Sequence, residues 1–292
     1  MKYGYYPGCC LNSTCKDFDT SIRAVFRALD IDIEEIKRWV CCGSSAAHVA
    51  SRYLSVALSL DNLAKAQKQG LDDVLVPCAA CYARFKFALH DIGADNGLRR
   101  EVEQALKHCF TEKLRVTHPM ELLARDDMMH QIESKRSRAL SSMKVVCYYG
   151  CYLSRPPDHF DDAEYPQSMD RIMKASGAEV LDWACRTDCC GGNFSLTRTD
   201  IALNLSRAIL EGAKEVGANA IVVTCPFCHM NLDARQGEIE EKYGTSYNLP
   251  VYYYSQILAA ALGAPDKDLM LHMQFVQSQK LIQKAGANGK QK

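Results

Sequence analysis

The chain has 292 residues, 48% of them hydrophobic and 24% charged, with 35 basic residues balancing 35 acidic ones. That balance gives no general electrostatic pull toward nucleic acid or anionic membrane surfaces, and the apolar content suits one large soluble domain or two of average size. The N-terminus, Met1-Lys2-Tyr3-Gly4-Tyr5-Tyr6-Pro7, has no apolar signal core, and no stretch approaches the ~20 apolar residues that span a bilayer, so a cytoplasmic protein with reduced thiols is expected.

In chain order, residues 2–6 read as a short buried strand, and Cys9 follows it in Tyr5-Tyr6-Pro7-Gly8-Cys9. Residues 18–29 place Phe18, Ile22, Val25, Phe26 and Leu29 at helical spacing. The pair Cys41-Cys42 comes next, followed by Gly43 and by a long helix over residues 46–69 that Gly70 stops. Residues 74–76 form a continuous apolar run, as expected of a strand buried on both faces. Cys78-Ala79-Ala80-Cys81 lies at its end, where another helix starts, and Val116-Thr117-His118-Pro119 opens the closing unit.

The same series then begins again. A strand over residues 144–149 leads to Tyr148-Tyr149-Gly150-Cys151, and Cys189-Cys190-Gly191 repeats Cys41-Cys42-Gly43. A helix over 199–216 stopped by Gly217, the apolar run 220–223 and Cys225-Pro226-Phe227-Cys228 complete the match, with Val251-Tyr252-Tyr253-Tyr254 as the second closing unit. The offset between copies moves only from 142 to 148 and back to 135. Alternating strands and helices predict an α/β fold made by internal duplication, each copy a mainly parallel sheet with helices. The expected domains are residues 1–138 and 139–275, joined near the polar stretch 134–143, with a tail over 276–292 that is expected to be disordered after Gln279.

Ten of the fifteen cysteines fall on this repeated pattern, with 31 and 35 intervening residues in the first copy and 37 and 34 in the second. An odd cysteine count fits thiolate ligands better than a disulfide framework. Adjacent cysteines diverge and are awkward around a tetrahedral zinc, which needs four ligands where each copy offers five. An iron–sulfur cluster spreads its irons over several ångströms and is held by thiolates. Gly8, Gly43, Gly150, Gly191 and Gly192 let backbone N–H groups come close to its sulfurs. Zinc and metal-free thiol chemistry remain the alternatives on spacing alone. In an open parallel sheet Cys9, Cys78, Cys151 and Cys225 all fall at carboxyl ends of strands, where ligands gather.

At these residues the chain resembles the cysteine-rich CCG domain family, and the tandem arrangement, with Tyr-Tyr-Pro-Gly-Cys9 and Cys225-Pro-Phe-Cys-His-Met-Asn-Leu-Asp233, resembles the B subunit of heterodisulfide reductases. The resemblance implies two noncubane [4Fe-4S] clusters facing one substrate pocket. Carried over by motif, one would use Cys9, Cys41, Cys42, Cys78 and Cys81, the other Cys151, Cys189, Cys190, Cys225 and Cys228. It implies reduction or formation of a small-molecule disulfide, the mixed disulfide of coenzymes M and B or a related sulfur compound. The implied partners are a ferredoxin-like C subunit and a flavin-containing A subunit, since no GxGxxG fingerprint or P-loop is present to bind a nucleotide here. The alternative is an electron-relay subunit of another oxidoreductase, with no substrate of its own.

Weaker candidates surround the motifs. His229 and His48 could serve a bound thiolate, against the plainer reading of histidines hydrogen-bonded to backbone. Lys16, Arg84 and Arg155 lie near motif cysteines and could meet anionic groups, although a solvated charge is the default. Tyr252, Tyr253 and Tyr254 are expected in a core or interface. Cys10, Cys15, Cys109, Cys147 and Cys185 fall outside the pattern; Cys10 and Cys147 rival Cys9 and Cys151 as ligands, but the repeated Tyr-Tyr-(Pro)-Gly-Cys register favours the latter pair, and the five are expected as small buried apolar side chains.

Overall fold

A computed structural model describes residues 2–44, 47–111, 113–277 and 281–282. The first half runs β1 (Lys2–Tyr5), α1 (Gly8–Leu11), α2 (Lys16–Ala28), β2 (Asp32–Glu35), α3 (Ala47–Ala50), α4 (Arg52–Lys68), β3 (Asp73–Leu75), α5 (Ala79–Ala94), α6 (Asn96–Leu106), β4 (Arg115–Thr117), α7 (Pro119–Leu123) and α8 (Asp126–Lys135). The second runs β5 (Lys144–Tyr148), α9 (Gly150–Ser154), α10 (Ser168–Ala175), β6 (Glu179–Val180), α11 (Thr199–Glu215), β7 (Ala220–Val223), α12 (Pro226–His229), α13 (Gln236–Tyr243), β8 (Val251–Tyr253), α14 (Tyr254–Ala261) and α15 (Asp266–Leu269). A π-helical turn, Met230–Ala234, follows α12.

Each half holds one four-stranded sheet, ordered β2-β1-β3-β4 and β6-β5-β7-β8. Every pairing is parallel; Gly4 sits opposite Val74 in the first sheet and Val145 opposite Ala220 in the second. Parallel strands need crossover helices on both faces, so their side chains are buried on both sides and read as unbroken apolar runs. β7 shows this, since Ala220, Ile221, Val222 and Val223 are all fully buried, and each Ile or Val removed from water contributes roughly 1.5–3 kcal/mol.

Four strands escaped the sequence reading: β4 and β8, which fall inside the two closing units, and β2 and β6. β2 is Asp-Ile-Glu-Glu on an exposed edge, where Lys2 pairs with Glu34 and Arg23 with Glu35. Its polar side chains hide the strand from a hydrophobic pattern, and charge along an edge also deters pairing with other chains. β6 is only two residues long. The helix expected over 46–69 is also divided, with residue 46 outside the described residues. Ser51 takes an extended conformation between α3 and α4, and its hydroxyl accepts from the Leu54 N–H at 3.3 Å, so it caps α4 rather than continuing α3. The far end of α4 follows expectation: Gly70 has φ +76°, and Leu71 N–H returns to Ala66 O. Gly217, φ +78°, closes α11 by the same bond pattern from Ala218 to Ala213.

The two sheets share one hydrophobic core. α2 of the first half packs on α14 of the second. There Phe18 stacks on Tyr253 at 4.2 Å between centroids, and the buried hydroxyls of Ser21 and Ser255 lie 2.6 Å apart. His118 bridges the halves: its Nε2 lies 2.8 Å from Pro77 O and 3.1 Å from Thr224 Oγ1. Met120 N–H donates to His118 Nδ1, which fixes the ring proton on Nε2. The connector between α8 and β5 is anchored as well, with Ser137 N–H donating to Ala261 O at 2.9 Å and Leu140 and Met143 fully buried. Of the tail expected to be disordered, Ile282 is buried against the core, and residues 278–280 and 283–292 lie outside the described residues.

Candidate metal centre

The order of each sheet reverses between β1 and β3, and again between β5 and β7. At such a reversal the loops leaving two neighbouring strands part to opposite faces, which opens a crevice at their carboxyl ends. Cys9 lies in α1 just beyond β1, and Cys78 is the N-cap of α5 just beyond β3. Cys151 lies in α9 beyond β5, and Cys225 is the N-cap of α12 beyond β7. The pairs Cys41-Cys42 and Cys189-Cys190 arrive on loops after β2 and β6.

Within each half these segments meet. In the first, Cys41 Sγ lies 3.8 Å from Cys9 Sγ, and Cys42 Sγ lies 3.2 Å from Cys81 Sγ. In the second, Cys190 Sγ lies 3.5 Å from Cys228 Sγ, and the Cys151 and Cys189 thiols share a hydrogen bond. The CxxC turns bring Cys78 against Cys81 and Cys225 against Cys228. Among the described residues, no three His, Cys, Asp or Glu side chains are gathered as a site for a single metal ion; the sulfurs meet in pairs instead.

The backbone is built identically around both sets. Gly43 N–H donates to Cys41 Sγ and Gly191 N–H to Cys189 Sγ, each at 3.4 Å. Both glycines are left-handed, at φ +76° and +74°. Gly8 and Gly150 are left-handed too, and a Cβ on either would stand 3.3 Å from Cys81 Sγ or Cys228 Sγ. A tyrosine three residues before the first cysteine completes the frame. Tyr6 O–H donates to Val40 O at 2.8 Å and Tyr148 O–H to Asp188 O at 2.6 Å, in each case the carbonyl just before the cysteine pair. The sequence shows both tyrosines in the repeated motif before Cys9 and Cys151, but not their role in holding the loops of the cysteine pairs.

Charge is divided unevenly among the sulfurs. The Cys42 thiol, then the Cys9 thiol and the Gly43 N–H, pull Cys41 down to about 2, while the hydrogen bond to Cys42 and burial push Cys81 well up. The Cys151 thiol, the Gly191 N–H and the charge on Arg155 pull Cys189 down to about 6. Cys225 is lowered by Cys228 first, then by N–H groups of Cys228, Phe227 and Ala80. Ala80 belongs to α5 of the first half, so the two CxxC turns touch across the boundary between halves. Five sulfurs this close cannot all ionise without cations among them. The donor set therefore fits a polynuclear metal cluster, whose cations would supply that positive charge.

The weaker candidates divide. His229 is buried, its Nε2 lies 3.2 Å from Val251 O, and its ring stacks on Tyr253 at 4.4 Å, the plainer backbone-bonded role. Burial holds it neutral, down to about 4. His48 lies beside Arg84 and Arg52 in a cavity of about 290 Å³, with its buried Nδ1 unpartnered among the described residues. Arg84 stands over the Tyr152 ring at 6.0 Å, close to the junction of the halves, whereas Lys16 and Arg155 are exposed. Tyr252, Tyr253 and Tyr254 are fully buried, as expected. The five extra cysteines do not share one role: Cys147 is buried, Cys109 is exposed, and Cys10, Cys15 and Cys185 are half-buried. The expectation of small buried side chains holds for Cys147 alone.

Known proteins are similar to this chain. The family described as Cysteine-rich domain, CCG, matches residues 3–86 and 145–233. The 8-methylmenaquinol:fumarate reductase membrane anchor subunit of Wolinella succinogenes is 29% identical over 96% of this chain and 99% of its own. The B subunit of the ferredoxin/F420H2-dependent CoB-CoM heterodisulfide reductase of Methanosarcina acetivorans is 25% identical over 97% and 96%. A protein of Archaeoglobus profundus described as like the heterodisulfide reductase B subunit is 25% identical over 90% and 91%. A crystal structure of a hypothetical protein from Helicobacter pylori shares the fold, with a TM-score of 0.75 at 10% identity over 95% of this chain and 52% of that one. With two matched domains, two like sheets and two like sulfur sets, the chain belongs to the cysteine-rich CCG family, in the tandem form of the heterodisulfide reductase B subunit.

Proposed function

We propose that the chain is the iron–sulfur subunit of a heterodisulfide reductase-type complex, acting on a small-molecule disulfide or on the thiols it yields. The observation that carries this reading is the pair of matching five-sulfur sets whose CxxC turns touch through Ala80 and Cys225. Cys9, Cys41, Cys42, Cys78 and Cys81 would hold one noncubane [4Fe-4S] cluster, and Cys151, Cys189, Cys190, Cys225 and Cys228 the other. Bound there, the clusters supply one-electron redox chemistry, and two of them match the two electrons that an S–S bond exchanges. The chain's own residues position and tune. Gly43 and Gly191 give N–H groups to sulfur, a contact that raises reduction potential. Tyr6 and Tyr148 hold the loops that carry the cysteine pairs. Arg84, beside Tyr152, offers positive charge at the junction for an anionic substrate group. Electrons would come through a ferredoxin-like C subunit from a flavin-containing A subunit, in the cytoplasm.

Iron and sulfide analysis of Cys190→Ser and Cys109→Ser tests the assignment. Loss of iron in the first and not in the second is expected, and equal iron in both would remove the basis for it. A second reading has its own support in the Wolinella relative, with its 29% identity over nearly the whole of both chains. On that reading the subunit relays electrons in a quinol-linked oxidoreductase and has no substrate of its own. Among the described residues no helix is long and apolar enough to cross a membrane. A paramagnetic signal that depends on added thiol in the oxidised protein supports the disulfide reading; a signal indifferent to thiol supports the relay.

A further inference from the structure

Five partly or fully buried arginines, Arg23, Arg99, Arg186, Arg207 and Arg235, each pair with a carboxylate. Arg84, half-buried as well, forms no ion pair among the described residues, and its buried Nε has no hydrogen-bond partner there. Its guanidinium lies instead over two aromatic rings, Phe87 at 5.3 Å and Tyr152 at 6.0 Å. Such rings support the flat face of a guanidinium and leave its edge of N–H donors free. The cavity of about 290 Å³ that Arg84 shares with His48 also carries Arg52 and Asp91, which pair with each other at 3.1 Å, and the rest of its lining is uncharged. The His48 ring lies against the backbone of Gly43 and Ser44, with its Nδ1 buried and unpartnered among the described residues. One uncompensated positive charge and two orphaned nitrogens therefore face one small cavity. Leaving them so costs free energy that an anion from outside would remove.

We propose that this cavity is a subsite for one oxyanion group, a carboxylate, sulfonate or phosphate, carried on one half of the substrate and held between Arg84 and His48. That the carrier is a disulfide, or a thiol it yields, rests on the function proposed above; capture of the oxyanion does not. Arg84 presents the N–H fork that matches two oxygens of one group. His48 reaches a further oxygen through Nδ1. Burial first, and then the charge of Arg84, holds the ring below its usual pKa. A bound anion offsets that charge and lets both ring nitrogens carry a proton, one toward the backbone and one toward the anion.

Its place in the fold ties the anion to the cysteine sets. Arg84 follows Cys81 by one turn of α5, and His48 lies in α3 just after the Cys41-Cys42-Gly43 loop. Tyr152, under Arg84, follows Cys151 and exchanges hydrogen bonds with Asn193, which follows Cys189-Cys190. The subsite exists in one half only. Asn231 stands after Cys228 where Arg84 stands after Cys81, and it is spent on structure, bonding Ser195 Oγ and Cys190 O. Leu196 stands after Cys190 where His48 stands after Cys42, and it is exposed. The two cysteine sets are alike, but only the first has a cation and an imidazole beside it. An unsymmetrical substrate is therefore oriented, with its anionic half toward the first set.

The test measures binding to the iron-loaded full-length chain by calorimetry, under anaerobic conditions at low salt. The probes are inorganic phosphate and two thioethers, thiodipropionate and thiodiethanol, which copy an acidic and an uncharged disulfide but cannot exchange with thiols. Thiodipropionate should bind at least about ten times more tightly than thiodiethanol. Arg84→Gln and His48→Gln should each remove most of that preference, and Arg84→Lys, which keeps the charge and loses the fork, should retain only part of it. Iron content should be unchanged in all three variants. Equal binding of the two thioethers, or a preference that survives Arg84→Gln, would overturn the proposal. So would loss of iron in both Arg84→Gln and Arg84→Lys, which would make Arg84 a support of the cysteine set. Phosphate binding that Arg84→Gln abolishes, with neither thioether bound, would uphold the oxyanion site and exclude a disulfide as its carrier, so failure of the functional reading is separable from failure of the subsite.

Discussion

Replacing Gly191 with alanine should damage the second sulfur set far more than the same change at Gly217. Both glycines are left-handed, at φ +74° and +78°, so the backbone strain of an alanine is matched. That strain costs roughly 1–2 kcal/mol. Their surroundings differ. A Cβ at Gly217 meets nothing within 4 Å, whereas one at Gly191 stands 2.9 Å from Ala202 Cα, in the backbone of α11. The helix backbone cannot turn aside as a flexible side chain would, so the loop must move, adding about 1–3 kcal/mol of overpacking. The moving loop carries Cys189 and Cys190 and the N–H bonded to Cys189 Sγ. At about 2–4 °C per kcal/mol for a chain in this size class, Gly217→Ala should lower the melting temperature by a few degrees. Gly191→Ala should lower it by about two to three times as much and reduce bound iron as well. Thermal melts with parallel iron assays decide it. Equal shifts in the two variants with full iron in both would refute the argument that the close approach to α11 requires glycine.

Three further outcomes are expected. Tyr148→Phe removes the bond to Asp188 O and should cost about 1 kcal/mol in denaturant unfolding, with a shifted visible spectrum as the cysteine pair loosens; Tyr6→Phe should repeat it at the first set. His118 is buried neutral, its pKa pushed down to about 3 by burial. Since the unfolded ring takes a proton near 6.5, the unfolded state binds more protons below that pH, and stability falls by roughly 1.4 kcal/mol per pH unit as pH drops from ~6.5 toward ~3. Asp17 and Asp233, pushed up to about 7 and 6, act with opposite sign. The loss should therefore be read as the difference between the native chain and His118→Gln in urea titrations at pH 7 and pH 5; no difference would contradict a neutral buried imidazole. A double-mutant cycle on Ser21→Ala and Ser255→Ala should give a coupling of about 0.5–1.5 kcal/mol across the halves, whereas a coupling near zero would mean that the two hydroxyls do not share a bond in solution.

Much of the site was legible because its signal is local and repeated. A cysteine must sit just beyond a strand to reach the crevice, a glycine must adopt positive φ to bring N–H to sulfur, and both demands leave the same letters in both copies. Cys9 and Cys151, or Gly43 and Gly191, are visible for that reason. The continuous apolar runs of β3 and β7 were visible because strands buried on two faces admit little else. β2 was not, because an edge strand answers to solvent on one side and its charges carry no periodic mark.

What the sequence determined by itself was therefore the duplication, the parallel α/β class, the ten cysteines and the family they indicate. The tertiary structure decided which distant segments touch. The stacking of Phe18 on Tyr253, the His118 bridge to Pro77 and Thr224, and the Ala80 N–H aimed at Cys225 all join residues far apart in the chain. So does a cavity that joins Cys10 and Cys15 to Phe227 and Met230. No pattern within either copy encodes such contacts, because they come from packing one copy against the other, and that packing is set by the complementary shape of surfaces that exist only once both sheets have formed.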